Sequence, residues 1–188
     1  MHAMSGAEIL TNLQFVLGGA RSGKSSLAEG LARSAARTGG ALTYVATAQA
    51  YDTEMEERIA QHVVDRGPDW NTIEAPLDLK QVVLSRKDGE VVLIDCLTLW
   101  LSNILLANRD VEATCSDLVE ALSACRAHVV CVSNDVGMGL VPDNSLGRRF
   151  RDAQGRLNQM VAARAGLAVL VVAGLPLVLK GNLPPNVR

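Results

Sequence analysis

The sequence predicts a single α/β domain, an open and mostly parallel sheet with helices on both faces. Three observations predict it. Short apolar runs alternate with helix-like stretches along most of the chain, the pattern of repeated strand–helix–strand units. The run Val91-Val92-Leu93-Ile94 is apolar at every position, as in a strand covered on both faces. A glycine-rich turn, Gly18 to Ser25, joins the first apolar run to the first helical pattern. Sheets of this kind bind ligands at the carboxyl ends of their strands.

In chain order, residues 13–17 read as a strand and 24–37 as a helix stopped by Gly39-Gly40. Residues 41–46 are a second strand. Residues 53–66 are a helix opened by the capping box Thr53 and Glu56 and stopped at Gly67-Pro68. Residues 70–75 make a short strand, and 77–84 a short helix after Pro76. The strand 91–94 ends at Asp95, and helices follow over 97–107 and 116–127. A buried strand spans 129–133, a glycine- and proline-marked loop 134–144, and an Arg-rich helix 145–165 ended by Gly166. Residues 168–173 are the last core strand and 177–180 an edge strand. The expected organisation is a loose N-terminal tail over 1–12, one domain over 13–180, and a C-terminal tail over 181–188 without regular structure.

The 188 residues suffice for one full core. Hydrophobic residues make up 48% and charged residues 20%, ordinary for a globular protein. Aromatics are 3%, so Leu, Val and Ala must fill the core. The net charge of −2 gives no sign of a nucleic-acid or anionic-membrane partner. Cys96, Cys115, Cys125 and Cys131 form no C-x-x-C pair, so they read as reduced, buried thiols of a cytoplasmic protein rather than a zinc site. Residues 1–12 lack the charged and apolar regions of a signal peptide. The longest apolar run, 165–179, is shorter than the roughly 20 residues a membrane span needs and is interrupted by Gly166, Gly174 and Pro176. It reads as a buried strand and its exit turn.

The turn Gly18-Gly19-Ala20-Arg21-Ser22-Gly23-Lys24-Ser25 meets the G-x-x-x-x-G-K-[ST] spacing in full. Glycines let backbone N–H groups close around phosphate oxygens with no Cβ in the way. The following helix adds its positive end. Lys24 is placed to reach the outer phosphates, and Ser25 to offer a hydroxyl to Mg²⁺. The motif therefore points to nucleoside-triphosphate binding and to a P-loop NTPase-like sheet of the RecA-like kind.

Three further features bear on chemistry. Asp95 ends an apolar strand, where it either orders Mg²⁺ and its waters or caps the helix beginning at Leu97. His62 falls on the same face of the 53–66 helix as Met55, Ile59 and Val63. It reads either as a packed histidine or as a neutral imidazole aimed at phosphorus, a competent nucleophile. Arg148, Arg149, Arg151 and Arg156 gather on the 145–165 helix, as a solvated face or as an anion-binding lid. Asn134-Asp135 lacks the lysine of an N-K-x-D guanine signature, which argues against a Ras-like GTPase.

Several segments together resemble one family. They are the phosphate loop, Tyr44-Val45-Ala46-Thr47-Ala48, and Glu54-Met55 with Arg58-Ile59 and His62. They continue with Trp70-Asn71-Thr72-Ile73-Glu74, Leu93-Ile94-Asp95-Cys96-Leu97-Thr98, and Val132-Ser133-Asn134-Asp135-Val136-Gly137-Met138-Gly139-Leu140-Val141-Pro142. Arg148-Arg149-Phe150-Arg151-Asp152 and Gly155-Arg156-Leu157-Asn158-Gln159 complete the set. Over about 13–180 the chain resembles the bifunctional adenosylcobinamide kinases / adenosylcobinamide-phosphate guanylyltransferases of cobalamin biosynthesis. The phosphate loop is the unspecific part of that likeness. The V-G-M-G-x-V-P and R-I-x-x-H segments are the specific ones.

The resemblance implies a function for each part. ATP or GTP phosphorylates adenosylcobinamide. His62 then takes GMP from GTP as a phosphoramidate and passes it to adenosylcobinamide phosphate, a corrinoid. Lys24 and the loop N–H groups clamp phosphates, and Ser25 and Asp95 serve Mg²⁺. Further nucleotide contacts are implied for Ala46, Thr47, Ala48, Val63, Val64, Asp65, Arg66, Glu74 and Asp95, and the assembly is implied to be a homotrimer. Val63 and Val64 stand where a basic residue often follows the family histidine, Gln61 where some members carry a second histidine, and Asp135 where Glu is usual. The alternatives are a monofunctional P-loop small-molecule kinase and a nucleotide-regulated binding module.

Overall fold

The computed structural model describes residues 10–36, 39–49 and 67–187. Its strands are β1 (Leu10–Gly18), β2 (Leu42–Ala46), β3 (Trp70–Glu74), β4 (Val91–Asp95), β5 (His128–Asn134), β6 (Ala165–Val172) and β7 (Leu175–Lys180). They form one sheet in the order β3-β2-β4-β5-β1-β6-β7. Every neighbouring pair is parallel except β6 and β7, which run antiparallel. The described helices are α1 (Lys24–Ala35), α2 (Leu79–Leu84), α3 (Leu97–Leu106), α4 (Val111–Ala124) and α5 (Ser145–Arg164). The helix expected over 53–66 lies outside the described residues.

Strand alternation sorts the core into two layers. Leu13 and Phe15 of β1, Val92 and Ile94 of β4, and Val129 and Cys131 of β5 join one apolar cluster, with Leu79, Trp100, Leu101, Leu118 and Leu157 from α2 to α5. Val16, Leu93, Val130 and Val132 turn to the opposite face, against Leu27, Ala28 and Leu31 of α1. This is why β4 is apolar throughout: Val91 to Ile94 are all buried, and only Asp95 at the strand end is partly open.

Several boundaries differ from those expected. Helix α4 begins at Val111 rather than 116, because the Asp110 side chain accepts the Ala113 N–H at 3.0 Å and caps it. Helix α5 ends at Arg164 and passes directly into β6, so Gly166 is a strand residue, not a helix stop. A Cβ at Gly166 would lie 2.9 Å from the Leu10 carbonyl oxygen, so this glycine permits the close approach of β1 and β6. The apolar run 165–179 is accordingly two strands joined at Ala173-Gly174. Lys180 on the return strand donates to the carbonyls of Ala162 and Ala163, at 3.2 and 2.9 Å, and closes the end of α5. Strand β1 starts at Leu10, earlier than expected, and Asn12 anchors it by donating to the Cys125 and Ala127 carbonyls. No helix or strand follows Lys180 among the described residues, yet Val187 is buried against the α1 layer.

His128 opens β5 with its Nε2 buried and unpartnered among the described residues. Burial lowers its pKa below the ordinary 6.5. Below that value the unfolded chain binds a proton that the folded chain resists. The stability contribution is therefore complete above about 6.5 and is lost as pH falls. The thermal midpoint is expected to drop between about pH 7 and pH 5.5, and less steeply in His128→Leu. Equal slopes for the two proteins would contradict this.

Candidate active site

The strand ends assemble the site. Gly18 of β1 lies beside Asn134 of β5, Asp95 of β4 beside Ala46 of β2, and Ala46 beside Glu74 of β3. All five stand at the carboxyl edge of the parallel sheet. Strand β5 separates β4 from β1, so Asp95 is two strand spacings, roughly 10 Å, from the phosphate loop. Glu74 is four spacings away, roughly 19 Å. That distance suits the sugar or base end of an extended nucleotide, or a second substrate, and not the phosphates.

The phosphate loop leaves β1 and enters α1 through backbone conformations its residue types anticipate. Gly23 is the α1 N-cap with φ 92°, and Arg21 is also left-handed with φ 54°. A Cβ at Gly18 would lie 2.5 Å from Ser22 Oγ and 2.8 Å from the Val171 carbonyl oxygen, so the turn closes only around glycine. The β6–β7 turn buttresses the loop from behind, with the Gly174 N–H donating to the Ser22 carbonyl at 2.9 Å. Lys24 Nζ donates to the Gly19 carbonyl at 3.2 Å in an exposed bond. The ammonium thus arches over the loop cavity. A phosphate oxygen bound there is a stronger, charge-assisted acceptor.

Asp95 does not cap α3. The N-cap is Cys96, with no side-chain cap bond. No hydrogen bond or ion pair engages the Asp95 carboxylate among the described residues. The Cys96 thiol reports the local field. Burial pushes it up to about 11, the negative charge of Asp95 adds to that rise, and the positive charge of Lys24 opposes it. Cys96 stays a thiol and is no nucleophile. Burial also raises the Cys115, Cys125 and Cys131 thiols, and all four cysteines are free and buried.

Thr47 is fully buried. Its hydroxyl donates to the Cys96 carbonyl at 2.7 Å and accepts the Cys96 N–H at 2.8 Å. Asn103 of α3 donates to the Thr47 carbonyl at 2.8 Å and to the Pro76 carbonyl at 3.1 Å. The Thr47 side chain is thus occupied in holding the peptide that follows Asp95, and it positions the acid. Thr47→Val strands a buried N–H and is expected to cost about 1–3 kcal/mol, read as a lower urea midpoint. An unchanged midpoint would rule out this latch.

A buried polar network beneath the edge escaped the sequence reading. Ser133 donates to Asn158 Oδ1 at 2.7 Å, and fully buried Gln154 donates to Ser133 and Asn158, each at 2.9 Å. Asn158 in turn donates to the Asn134 carbonyl at 3.2 Å, while the Asn134 N–H reaches Thr98 Oγ1 at 2.7 Å. The network fixes Asn134 between Asp95 and Gly18. The only signal for it was a strand that ends in two polar residues.

The arginine cluster divides. Arg148 donates to the Pro142 carbonyl at 2.9 Å and Arg151 to the Gly137 carbonyl at 2.6 Å, pinning the loop before α5. Arg149 and Arg156 line an open cleft of about 470 Å³ against Asn108–Glu112 at the start of α4. His62, Val63, Val64, Asp65 and Arg66 lie outside the described residues.

No group of three or more His, Cys, Asp or Glu side chains among the described residues could cage a metal ion. The donors present, an unengaged Asp95 carboxylate and the half-buried Ser25 hydroxyl, are hard oxygens. They fit Mg²⁺ completed by phosphate and water. No described helix is long and apolar enough to cross a membrane.

Fold and site together define a P-loop nucleotide-binding α/β protein. A parallel sheet with a complete phosphate loop and an acid two strands away admits many phosphoryl- and nucleotidyl-transfer enzymes. The chain belongs to the cobinamide kinase / cobinamide phosphate guanyltransferase family, whose model matches residues 14–179. It is 46% identical over 170 residues to the bifunctional adenosylcobalamin biosynthesis protein CobP of Pseudomonas aeruginosa, covering 89% of this chain and 96% of that protein. It is 38% identical over 181 residues to the bifunctional adenosylcobalamin biosynthesis protein CobU of Escherichia coli, covering 88% of this chain and 98% of that one. Among solved structures, the ATPase domain of G40P aligns with TM-score 0.50 and 11% identity, covering 85% of this chain and 69% of that chain. At that identity the likeness concerns the fold alone.

Proposed function

We infer that this chain catalyses two successive transfers to a corrinoid. The first is the phosphorylation of adenosylcobinamide by ATP or GTP. The second is the transfer of GMP from GTP to the resulting phosphate, through His62. The observation that carries this reading is that the phosphate loop leaving Gly18, Asn134 and Asp95 share one edge of the sheet, in a chain of this family.

In the first step the hydroxyl of the aminopropanol arm attacks the γ-phosphorus. The bond to the β-phosphate oxygen breaks, a nucleoside diphosphate leaves, and the hydroxyl proton passes to solvent. Lys24 and the loop N–H groups hold the charge that grows on the leaving group. In the second step a neutral His62 nitrogen attacks the α-phosphorus of GTP and pyrophosphate leaves. A phosphate oxygen of the corrinoid then attacks the same phosphorus, the P–N bond breaks, and the imidazole is restored. Two easier displacements replace one hard one. Ser25 and Asp95 are the residues proposed to hold Mg²⁺, which when bound neutralises charge on the phosphate oxygens. Thr47 supports Asp95 by holding its neighbouring peptide, and the backbone of Ala46 and Ala48 with Glu74 extends the nucleotide track along the strand ends.

The assembly is proposed to be a homotrimer, and the location cytoplasmic. The trimer is supported by edge strand β7, which exposes Leu175, Leu177 and Leu179. An open apolar edge of this kind favours cover by another chain. Light scattering is expected to give three times the chain mass. The location is supported by four free, buried thiols.

The testing experiment supplies adenosylcobinamide, GTP and Mg²⁺ and follows products by mass. Successive appearance of the phosphate and of the GDP ester supports both transfers. Accumulation of the phosphate alone, with no pyrophosphate released, would leave a monofunctional kinase.

A further inference from the structure

The V-G-M-G-L-V-P segment is one of the two specific parts of the family likeness, and the chemistry above gives it no task. It forms the loop between β5 and α5. The Asp135 N–H at its root donates to the Gly18 carbonyl at 3.2 Å, so the loop starts beside the phosphate loop. Its apolar side chains face outward: Met138 is 82%, Leu140 96% and Val141 69% exposed, with Leu146 at 51% on the first turn of α5.

The crest is nevertheless held. Asp135 Oδ1 accepts the Gly137 N–H at 2.8 Å, Arg151 and Arg148 grip the Gly137 and Pro142 carbonyls, and Asn144 caps α5 through the Gly147 N–H at 2.7 Å. Four large apolar side chains held out in water on a pinned backbone form a pre-organised surface, which reduces the ordering cost of binding. Cations adjoin it. Arg148 and Arg151 touch the loop's own carbonyls, and Arg149 follows Leu146 by one helical turn, beside the cleft at the start of α4. The first turn of α5 carries no acid, and exposed Asp143 stands just before it.

We propose that this loop crest, with Arg149, is the docking surface for the corrinoid substrate. The proposal rests on the two-transfer reading above. A corrin ring presents a broad, methyl-bearing face, which suits Met138, Leu140 and Val141. Its arm becomes anionic after the first transfer, which suits an arginine beside the crest. Reach agrees. Leu140 is five residues past Asp135, so it lies at most about 18 Å of extended chain from the root of the loop beside the phosphate loop.

The test measures KM for adenosylcobinamide and for its phosphate in the wild type, in M138S/L140S and in Arg149→Met, together with KM for GTP and the solution mass. The crest variant is expected to raise both corrinoid KM values by about tenfold or more, the scale of losing two apolar contacts. KM for GTP and the mass should hold. Arg149→Met is expected to raise KM for the phosphate alone. Unchanged corrinoid KM values in the crest variant would overturn the assignment. A fall in mass in that variant would overturn it in favour of a second copy of the chain as occupant. A wild type that turns over no corrinoid would instead refute the functional reading, which separates the two failures.

Discussion

Lys24→Ala is expected to lower both transfer rates by about 10²-fold or more. The ammonium stands over the loop cavity, held by one exposed bond to the Gly19 carbonyl. Both reactions build negative charge on a phosphate leaving group that the same loop must hold, so one substitution should weaken both. Because the bond lost is exposed, the thermal midpoint should stay near that of the wild type. Separate assays of γ-phosphate transfer to the corrinoid and of pyrophosphate release measure the two effects. Retention of either activity near the wild-type rate would show that the two reactions do not share this clamp.

His62→Ala is expected to divide the activities. Transfer of GMP should fall by about 10³-fold or more, because the attacking atom is gone. Phosphorylation of the corrinoid passes through no histidine adduct and should fall only several-fold. A packed histidine would behave differently. Its loss would lower the midpoint and depress both reactions in proportion to the fraction unfolded. Equal loss of both activities in a protein with an unchanged midpoint would also argue against a nucleophile.

Much of this architecture was legible because it rests on local chemistry. The turn from Gly18 to Ser25 names its own task, since its left-handed and close-approach positions require particular residues. The apolar run 91–94 follows from a strand covered on both faces, and Asp95 is exposed because the strand ends there. What stayed hidden depends on partners distant in sequence. Thr47 is implied as a nucleotide contact, and nothing in the sequence around it shows that its hydroxyl also serves the Cys96 peptide 49 residues away. Gln154 looks like one polar residue on an Arg-rich helix until β5 brings Ser133 beneath it. The true start of α4 leaves a faint mark in the sequence because a single Asp110 cap carries the signal. Gly166 resembled a helix stop because tight packing between β1 and β6 leaves no mark in the local pattern.

The most direct measurement is a label-transfer experiment with GTP carrying α-³²P, run without corrinoid and mapped by peptide mass. The expected result is label on His62, lost in acid, stable in base, and chased from the protein by adenosylcobinamide phosphate. Label on a different residue would contradict the mechanism. So would a protein that stays unlabelled under conditions where it converts adenosylcobinamide phosphate to the GDP ester.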